Sequence, residues 1–327
     1  MRVNEEEIVS DILRQASRGP RRGVSVGVGD DAAVVAAPPS GERLLLSTDQ
    51  VIEGTHFIPD LHPPRALGHK CLARALSDIA AMGGAPCYFL LSLCLPAWVD
   101  RDWLRAYLAG LLGLSRRCRV PLVGGDVAGG QQFGADVAIV GAVGGRRLLR
   151  RGGAKPGHRI FVSGRLGGSA LGLERLSTRT FPASDPAIRR HLYPRPRLEL
   201  GRFLRERVGA TAAMDLSDGL STDLERLANA GGVGAEIDER AVPRFRGATA
   251  GQALHGGEDY ELLFTVKPEG VERVRSLEEK TGTPPLSQIG RIEKGRDQLH
   301  LENADGRREL EEAGFDHFKQ TDVSRGA

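Results

Sequence analysis

The sequence is poor in lysine, in cysteine and in long hydrophobic runs. Only 6 of its 45 basic residues are lysine, an arginine bias more typical of a GC-rich coding sequence than of a phosphate-binding surface. The four cysteines form no Cys-x-x-Cys pair, so they indicate neither a zinc site nor a disulfide framework. The longest apolar run, Cys87–Pro96, is about half the length of a membrane crossing.

The sequence also lacks a large excess of positive or negative charge. Across 327 residues, 45 Lys and Arg face 42 Asp and Glu, which argues against a large nucleic-acid-binding surface. Residues 1–15 contain three consecutive glutamates where a signal peptide would have an apolar core. We therefore expect a cytoplasmic protein that binds neither nucleic acid nor membrane, and the length favours two domains.

The common nucleotide-binding and catalytic motifs are missing. The sequence has no Gly-x-x-x-x-Gly-Lys-[Ser/Thr] loop, no protein-kinase catalytic set, no Gly-x-Ser-x-Gly turn and no His-Glu-x-x-His motif. Gly27-Val28-Gly29 continues as Asp-Asp-Ala, so the dinucleotide-binding motif fails as well. Any nucleotide phosphate bound by this chain is therefore expected to be held through metal ions rather than by a glycine-rich loop.

Helices and strands are predicted to alternate irregularly in two halves. The predicted helices cover residues 4–17, 64–82, 100–117, 187–207 (interrupted by Pro194 and Pro196) and 268–281. The predicted strands include residues 24–28, 32–37, 44–46, 87–95, 120–123, 137–143 and 159–163. A basic, glycine-rich segment at 150–157 suits a connection between domains. We predict the α/β (α+β) class, with an N-terminal domain over residues 1–150 and a C-terminal α/β domain over 151–327.

Aspartates recur where strands are predicted to end, next to Gly, Ser or Thr. Five follow this pattern: Asp30, Asp49, Asp126, Asp215 and Asp218. One such aspartate is most simply a turn former or a helix cap. Strand ends converge on one side of a sheet, however, and gathered carboxylates repel one another unless cations neutralise them. Hard oxygen ligands beside small residues suit Mg²⁺, which also bridges to phosphate oxygens.

Two further acidic positions have competing interpretations. Asp78 follows Arg74 by four residues, and Arg74 follows Lys70 by four, so these charges form either a solvated stripe of weak ion pairs or part of a site. Ser217 or Asp218 is expected to cap the helix that follows. The backbone N–H groups at that helix start also favour a phosphate.

Six motifs occur in order and together carry a family resemblance. They are Gly29–Ala32, Ser47–Asp49 with Glu53–Phe57, Leu76–Gly83, Gly124–Asp126, Asp215–Gly219 and Gly256–Leu262. The sequence resembles the thiamine-monophosphate kinases, which belong to the superfamily of aminoimidazole ribonucleotide synthetase, over nearly its whole length. The first, third and fourth motifs are shared across that superfamily, whereas Ser47–Phe57 and Gly256–Leu262 are more specific to the thiamine enzymes.

The resemblance implies an activity, a fold and a set of site residues. The activity is direct in-line transfer of phosphate from ATP to thiamine monophosphate, with several Mg²⁺ ions and no acid or base residue. The fold has two α/β domains, with the N-terminal sheets pairing across a homodimer. The implied metal ligands are Asp30, Ser47, Thr48, Asp49, Asp78, Asp126, Asp215 and Asp218. The implied ATP contacts are Gly125, Asp126, Arg151 and Ser217, and the implied substrate contacts are His56, Glu258 and Phe315.

Some of these positions have simpler interpretations. His56 is equally consistent with a loop histidine bonded to its own backbone, Glu258 with a turn, and Phe315 with a hydrophobic anchor. Val127-Ala128 replaces the usual pair of threonines, a loss of two hydroxyls that is expected to weaken ATP binding rather than abolish it.

Two other functions remain open. The first is a sister enzyme that uses ATP to activate another oxygen or selenium centre. The selenium and carbamoyl-dehydrating members of that group need a reactive cysteine near one terminus, whereas the cysteines here fall between Cys71 and Cys118. The second is a non-catalytic sensor of thiamine phosphate or nucleotide, which is disfavoured because a degenerate sensor should have lost metal carboxylates, whereas the matched carboxylate positions all keep Asp.

Overall fold

The computed structural model describes residues 24–26, 32–36, 42–145, 147–278, 282–296, 298–311 and 313–315. The predicted helix over residues 4–17 and the predicted metal ligand Asp30 lie outside these residues. Among the helices described, none is both long and apolar enough to cross a membrane.

The N-terminal half is a six-stranded sheet with two helices packed on one face. Its strands are β1 Val24–Val26, β2 Ala33–Ala36, β3 Arg43–Ile52, β4 Ala85–Leu95, β5 Leu122–Gly129 and β6 Gly134–Val143. They are ordered β1-β2-β3-β6-β4-β5, and β4 and β5 run parallel whereas the other neighbours are antiparallel. The helices are α1 Pro64–Ala81 and α2 Arg101–Cys118. Pro64 at the first position of α1 and Asp100 as the cap of α2 fix where the two helices begin.

The C-terminal half is a seven-stranded sheet with helices around it. Its strands are β7 Arg159–Ser163, β8 Ala212–Asp215, β9 Gly234–Asp238, β10 Leu262–Val266, β11 Leu286–Glu293, β12 Leu299–Asn303 and β13 Gly306–Glu309. Their order is β13-β12-β9-β11-β7-β10-β8. The helices are α3 Gly168–Thr178, α4 Pro186–Leu192, α5 Leu198–Phe203, α6 Leu220–Gly231, α7 Ala250–His255 and α8 Val271–Glu278. The mixed α/β class is therefore confirmed.

Helix α1 is the central element of the molecule. It packs on α2 and on strands of the first sheet, and it also contacts α5 and β8 of the C-terminal half. Because of this position, 14 of its 18 residues are buried, and they include polar ones such as Lys70 and Ser77. Lys70 is therefore buried in protein, Arg74 and Asp78 are partly buried, and Arg65 at the start of the helix is exposed.

The predicted helices over 64–82 and 100–117 agree with α1 and α2 to within one residue. The predicted helix over 187–207 is divided into α4 and α5, because a proline ring cannot continue the hydrogen-bond ladder at Pro194 and Pro196.

Two strands extend further than their apolar runs predicted. The strand expected over 44–46 is β3, which continues to Ile52, and the strand expected over 120–123 is β5, which continues to Gly129. The expectation that Asp49 and Asp126 end strands is therefore wrong, since both lie inside them. An apolar run does not show how far a strand extends once its residues become polar. Asp215 does end β8, as predicted.

Two glycines allow α1 and α2 to approach closely. A Cβ atom at Gly68 would lie 1.9 Å from the carbonyl oxygen of Tyr107, and one at Gly110 would lie 1.9 Å from that of Arg65. No real Cβ contact is this short, so any larger residue must separate the two helices. This contact fixes the distance from α2 to the charged face of α1.

We predict that Gly110→Ala lowers the free energy of unfolding by about 1–3 kcal/mol, because overpacking displaces α1. Gly113→Ala is the matched control in the same helix. Nothing lies within 4 Å of its added methyl group, so it is expected to be neutral or stabilising by up to about 1 kcal/mol. Urea denaturation followed by circular dichroism measures both effects, and equal stabilities for the two variants would contradict the close packing.

Candidate active site

Three charged residues lie one turn apart on α1: Lys70 binds the Gly256–Leu262 segment, whereas Arg74 and Asp78 bind strand β3. Lys70 Nζ donates to Glu258 Oε2 at 2.7 Å. Arg74 donates through Nε and Nη2 to Asp49 Oδ1, at 3.1 and 2.8 Å. Asp78 accepts a hydrogen bond from Ser47 Oγ. The solvated-stripe interpretation of these charges is therefore wrong.

Strand β3 divides three of the predicted metal ligands between the two faces of the sheet. Successive residues of a strand point to opposite faces. Ser47 and Asp49 face α1, whereas Thr48 is exposed on the open face and donates to Asp136 Oδ1. Asp126 is also exposed, and the register of β3, β6, β4 and β5 places it on the open face with Asp136. The structure thus does not bring all the predicted ligands of this half together.

Gly125 is required by the approach of two strands. A Cβ atom at this position would lie 1.8 Å from the carbonyl oxygen of Leu91 on β4. The glycine therefore allows β5 to pair with β4 through the Gly124–Asp126 motif, and this pairing holds Asp126 in place.

The loop after β8 carries a second group of carboxylates. Asp215 is 4% exposed at the end of the strand, and Asp218 accepts a hydrogen bond from Arg226. Asp223 accepts from the backbone N–H groups of Asp218 and Gly219, at 3.0 and 3.1 Å. The prediction that Ser217 or Asp218 caps the following helix is wrong. Gly219 occupies the cap position without a side-chain bond, and Asp223 binds the loop from inside α6.

This loop holds more negative charge than its own cation offsets. Burial raises the pKa of Asp223 well above its usual range, and the charges of Asp218 and Asp215 raise it further against the opposing effect of Arg226. Arg151 lies close enough to Arg226 to act on its pKa. Arg151 and Asp218 therefore lie in the same region, as the predicted ATP and metal contacts require.

The Gly256–Leu262 segment is held against this loop in a strained conformation. Glu258 and Tyr260 have left-handed backbones, with φ angles of 65° and 49°. The Glu258 N–H donates to Ser217 O at 2.7 Å, and the Tyr260 N–H donates to Leu216 O at 2.9 Å. These two bonds hold the backbone of Glu258 and Tyr260 against the loop that follows β8.

The next acids of the segment hold it to other elements. Asp259 accepts from the backbone N–H groups of Gly167 and Ser169 at the start of α3, at 2.5 and 3.0 Å. Glu261 is fully buried and accepts from Arg197 Nε at 2.7 Å as well as from Arg190. Loop conformations in sparsely populated backbone regions persist only when surrounding bonds over-determine them, as these do.

The carboxylate of Glu258 is ionised despite its surroundings. Burial would raise its pKa, but the charge of Lys70 above all, its hydrogen bond and the charge of Arg74 oppose burial, and the pKa is lowered to about 2. Its Oε1 atom lies 3.9 Å from Arg74 Nη1, whereas its Oε2 atom is bound by Lys70. A quarter of the side chain is exposed.

Carboxylates from both halves of the molecule meet around Tyr260. Burial raises the pKa of this phenol well above its usual range, and Arg74 opposes that shift. Glu258, Asp49 and Asp215 act on the same hydroxyl and raise its pKa further. Asp49 belongs to the first sheet, whereas Asp215 and Glu258 belong to the second half, so the candidate site lies between them.

The predicted substrate residues His56 and Phe315 have different surroundings. His56 Nδ1 accepts a hydrogen bond from the Ile52 N–H at 3.1 Å, the local bond that its simpler interpretation predicted. Phe315 is 47% exposed, and its N–H donates to Asp218 O at 3.0 Å. Phe315 is therefore an exposed aromatic ring beside the second carboxylate group rather than an anchor in a hydrophobic groove.

Sequence reasoning missed several residues of the site. Lys70 and Arg74 were noted only as a possible ion-pair stripe, and Tyr260, Asp136 and Arg226 were not singled out. Tyr260 lies inside the Gly256–Leu262 motif, which was the one available signal. Within the described part of the chain, no group of three His, Cys, Asp or Glu side chains is arranged to hold one metal ion by itself.

Comparison with known proteins supports one family. Residues 29–146 match the family model of AIR synthase related protein, N-terminal domain, and residues 155–302 match that of its C-terminal domain. The thiamine-monophosphate kinase of Salmonella typhimurium is 42% identical over 261 residues, covering 76% of this chain and 78% of the relative.

Solved structures agree with the sequence relatives. The structure of AaThiL complexed with AMPPCP and TMP has a TM-score of 0.83 and 31% identity, and the match covers 97% of this chain and 99% of that one. The hydrogenase maturation protein HypE of E. coli matches at a TM-score of 0.68 over 94% of this chain and 96% of its own, but at 19% identity, which shows a shared fold alone. The chain therefore belongs to the thiamine-monophosphate kinase family of AIR synthase related proteins.

Proposed function

We propose that this protein phosphorylates thiamine monophosphate with ATP, giving thiamine diphosphate and ADP. The observation that carries the proposal is that Arg74 on α1 binds Asp49 of the first half at 2.8 Å and lies 3.9 Å from Glu258 of the second, which brings acidic groups of both halves to one site. The complex of AaThiL with AMPPCP and TMP supports it, since that protein matches this chain over nearly its whole length. We also propose a domain boundary near residue 150 and a cytoplasmic location.

The donor chemistry of the site fits Mg²⁺. The residues that would hold several such ions, rather than one, carry carboxylate or hydroxyl oxygens: Asp30, Ser47, Thr48, Asp49, Asp78, Asp126, Asp215 and Asp218. Mg²⁺ takes one or two protein carboxylates together with phosphate oxygens and water, so it does not need a cage of protein ligands. When bound, it neutralises phosphate charge. Arg226 binds Asp218 and Asp223, and Asp215 adds a further carboxylate to the same group, which supports a cation near Asp215 and Asp218.

The remaining polar residues are proposed to position the two substrates. Gly125, Asp126, Arg151 and Ser217 are proposed to contact ATP. His56, Glu258 and Phe315 are proposed to contact thiamine monophosphate, where the exposed ring of Phe315 offers a stacking surface and the ionised Glu258 favours a cationic ring or an N–H donor.

No side chain needs to act as a general base in this proposal. The attacking phosphate oxygen is already ionised at neutral pH, and phosphoryl transfer depends mainly on alignment and on charge neutralisation. Direct in-line transfer is therefore consistent with a site made of carboxylates and arginines.

We propose that the first sheet pairs with that of a second copy. Leu46, Tyr88 and Leu90 are 38%, 40% and 43% exposed on the face opposite the two helices. The register of β3, β6 and β4 places them beside one another, and β5 leaves one edge of the sheet unpaired among the described strands. An apolar face that continues to an open edge suits a self-complementary homodimer.

The reaction itself is tested by incubating the protein with Mg²⁺, ATP and thiamine monophosphate and identifying the products by chromatography. We expect thiamine diphosphate and ADP in equal amounts, no reaction with free thiamine, and loss of turnover when EDTA removes the metal. ATP binding without thiamine diphosphate would instead favour a sister enzyme or a sensor.

We predict that Asp126→Asn lowers kcat by more than about 100-fold, because a neutral amide no longer offsets a bound cation. Asp126 is exposed, so the variant is expected to unfold at the same temperature as the wild type. The control is Asp102→Asn, which changes an exposed aspartate on helix α2 and should keep full activity. Full activity of both variants would refute the metal role of Asp126.

We predict that Leu90→Glu converts the dimer to a monomer, because it places charge on the apolar face. Light scattering coupled to size-exclusion chromatography measures the mass. Leu173→Glu, at a leucine of similar exposure on α3, should leave the mass unchanged. A monomeric wild-type protein, or a Leu90→Glu variant that stays dimeric, would contradict this interface.

A further inference from the structure

Lys70 is a buried lysine whose charge is bound by a residue from the other half of the molecule. Its side chain is 4% exposed, and Nζ lies 2.7 Å from Glu258 Oε2. Burial lowers the pKa of this ammonium group, and the carboxylate of Glu258 opposes that effect. The two partners come from α1 and from the strained Gly256–Leu262 segment, so the pair connects the two halves.

Apart from Glu258, the groups packed near the Lys70 ammonium include two histidines that carry no charge near pH 7. His191 Nε2 lies 3.5 Å from Nζ and 3.0 Å from His62 Nε2, and His191 Nδ1 lies 2.9 Å from Ser169 Oγ. Burial and the charge of Lys70 lower the pKa of His191 to about 3 and that of His62 to about 4, so both imidazoles are neutral near pH 7. Within the described part of the chain, the cations that face the Glu258 carboxylate are therefore Lys70 and, at 3.9 Å, Arg74.

A buried ion pair of this kind is poorly explained by stability alone. Removing two charges from water costs several kcal/mol per ion, and well-packed apolar residues commonly serve as well or better. Here the pair orients a residue whose φ angle of 65° is already unfavourable. Because Lys70 binds Oε2, the other oxygen of the carboxylate has a fixed direction, and no cation of the described residues lies within hydrogen-bond distance of it.

We infer that Lys70 is a positioning residue that orients Glu258 so that Oε1 accepts from the organic part of the phosphorylated substrate. The inference rests on the proposed function, because it needs a substrate with a cationic ring or an N–H donor near Glu258. Lys70 itself touches neither phosphate nor ATP in this account. Removing the charge of Lys70 should therefore weaken the binding of thiamine monophosphate and leave the binding of ATP unchanged.

The first test is Lys70→Met, which keeps the length of the side chain and removes its charge. We expect KM for thiamine monophosphate to rise about 10- to 100-fold, the range seen when an orienting partner is lost. The dissociation constant for ATP, measured by calorimetry, should stay within about twofold of the wild type. A control is Arg175→Met, which removes a salt bridge of the same 2.7 Å length to Asp185 and should leave both constants unchanged.

A double-mutant cycle separates positioning from a merely structural role. The dissociation constant for thiamine monophosphate is measured by calorimetry in the presence of AMPPCP. It is compared between the single variant Glu258→Gln and the double variant that carries both Lys70→Met and Glu258→Gln. If Lys70 acts through Glu258, the two variants bind within about twofold of each other, since coupled residues are not additive. The double variant also removes both buried charges at once, so it remains measurable even where Lys70→Met alone does not fold.

Three outcomes decide the matter. Tenfold weaker binding of the double variant than of Glu258→Gln would overturn the inference, because Lys70 would then act independently of Glu258. An unchanged KM for thiamine monophosphate in an active Lys70→Met enzyme would overturn it as well and would leave the proposed function standing. A wild-type protein that forms no thiamine diphosphate would remove the proposed function and this inference together.

Discussion

The ion pairs on one face of helix α1 are the interactions on which the site depends. Lys70 and Arg74 bind carboxylates of two different segments, Glu258 and Asp49. Each charge is largely removed from water, so loss of one partner leaves the other uncompensated and typically costs about 3–5 kcal/mol. The close packing of α1 on α2 through Gly68 and Gly110 holds this charged face in position. The glycines of the helix contact therefore help to position the charged side chains of the site.

Negative charge is concentrated around these pairs rather than avoided. Asp215, Asp218 and Asp223 lie in one loop and helix start, and Arg226 offsets only part of their repulsion. A folded chain tolerates such a group at some cost to stability, and functional sites are where that cost is usually found. Two phosphate-bearing substrates repel each other in the same way, so carboxylates that gather cations and arginines that bind anions serve a single electrostatic purpose.

Local patterns predicted the parts of this molecule that local forces determine. Helix α1 was predicted to within one residue because Pro63-Pro64 and Gly83-Gly84 delimit a helical pattern. The position of Asp49 was not, because β3 continues beyond its apolar residues and pairs with β6 about 90 residues away. The spacing of Lys70 and Arg74 was visible in the sequence, but their partners are distant in the chain. Spacing shows which side chains share a face and not what that face contacts.

Carboxylates of both halves are proposed to gather divalent cations around bound nucleotide. The most direct measurement is anomalous diffraction from crystals grown with Mn²⁺ in place of Mg²⁺, together with AMPPCP. We expect anomalous peaks at about 2.0–2.3 Å from carboxylate oxygens of Asp126 in the first half and of Asp215 or Asp218 in the second. Peaks confined to one half, or nucleotide bound with no metal at these aspartates, would contradict this proposal.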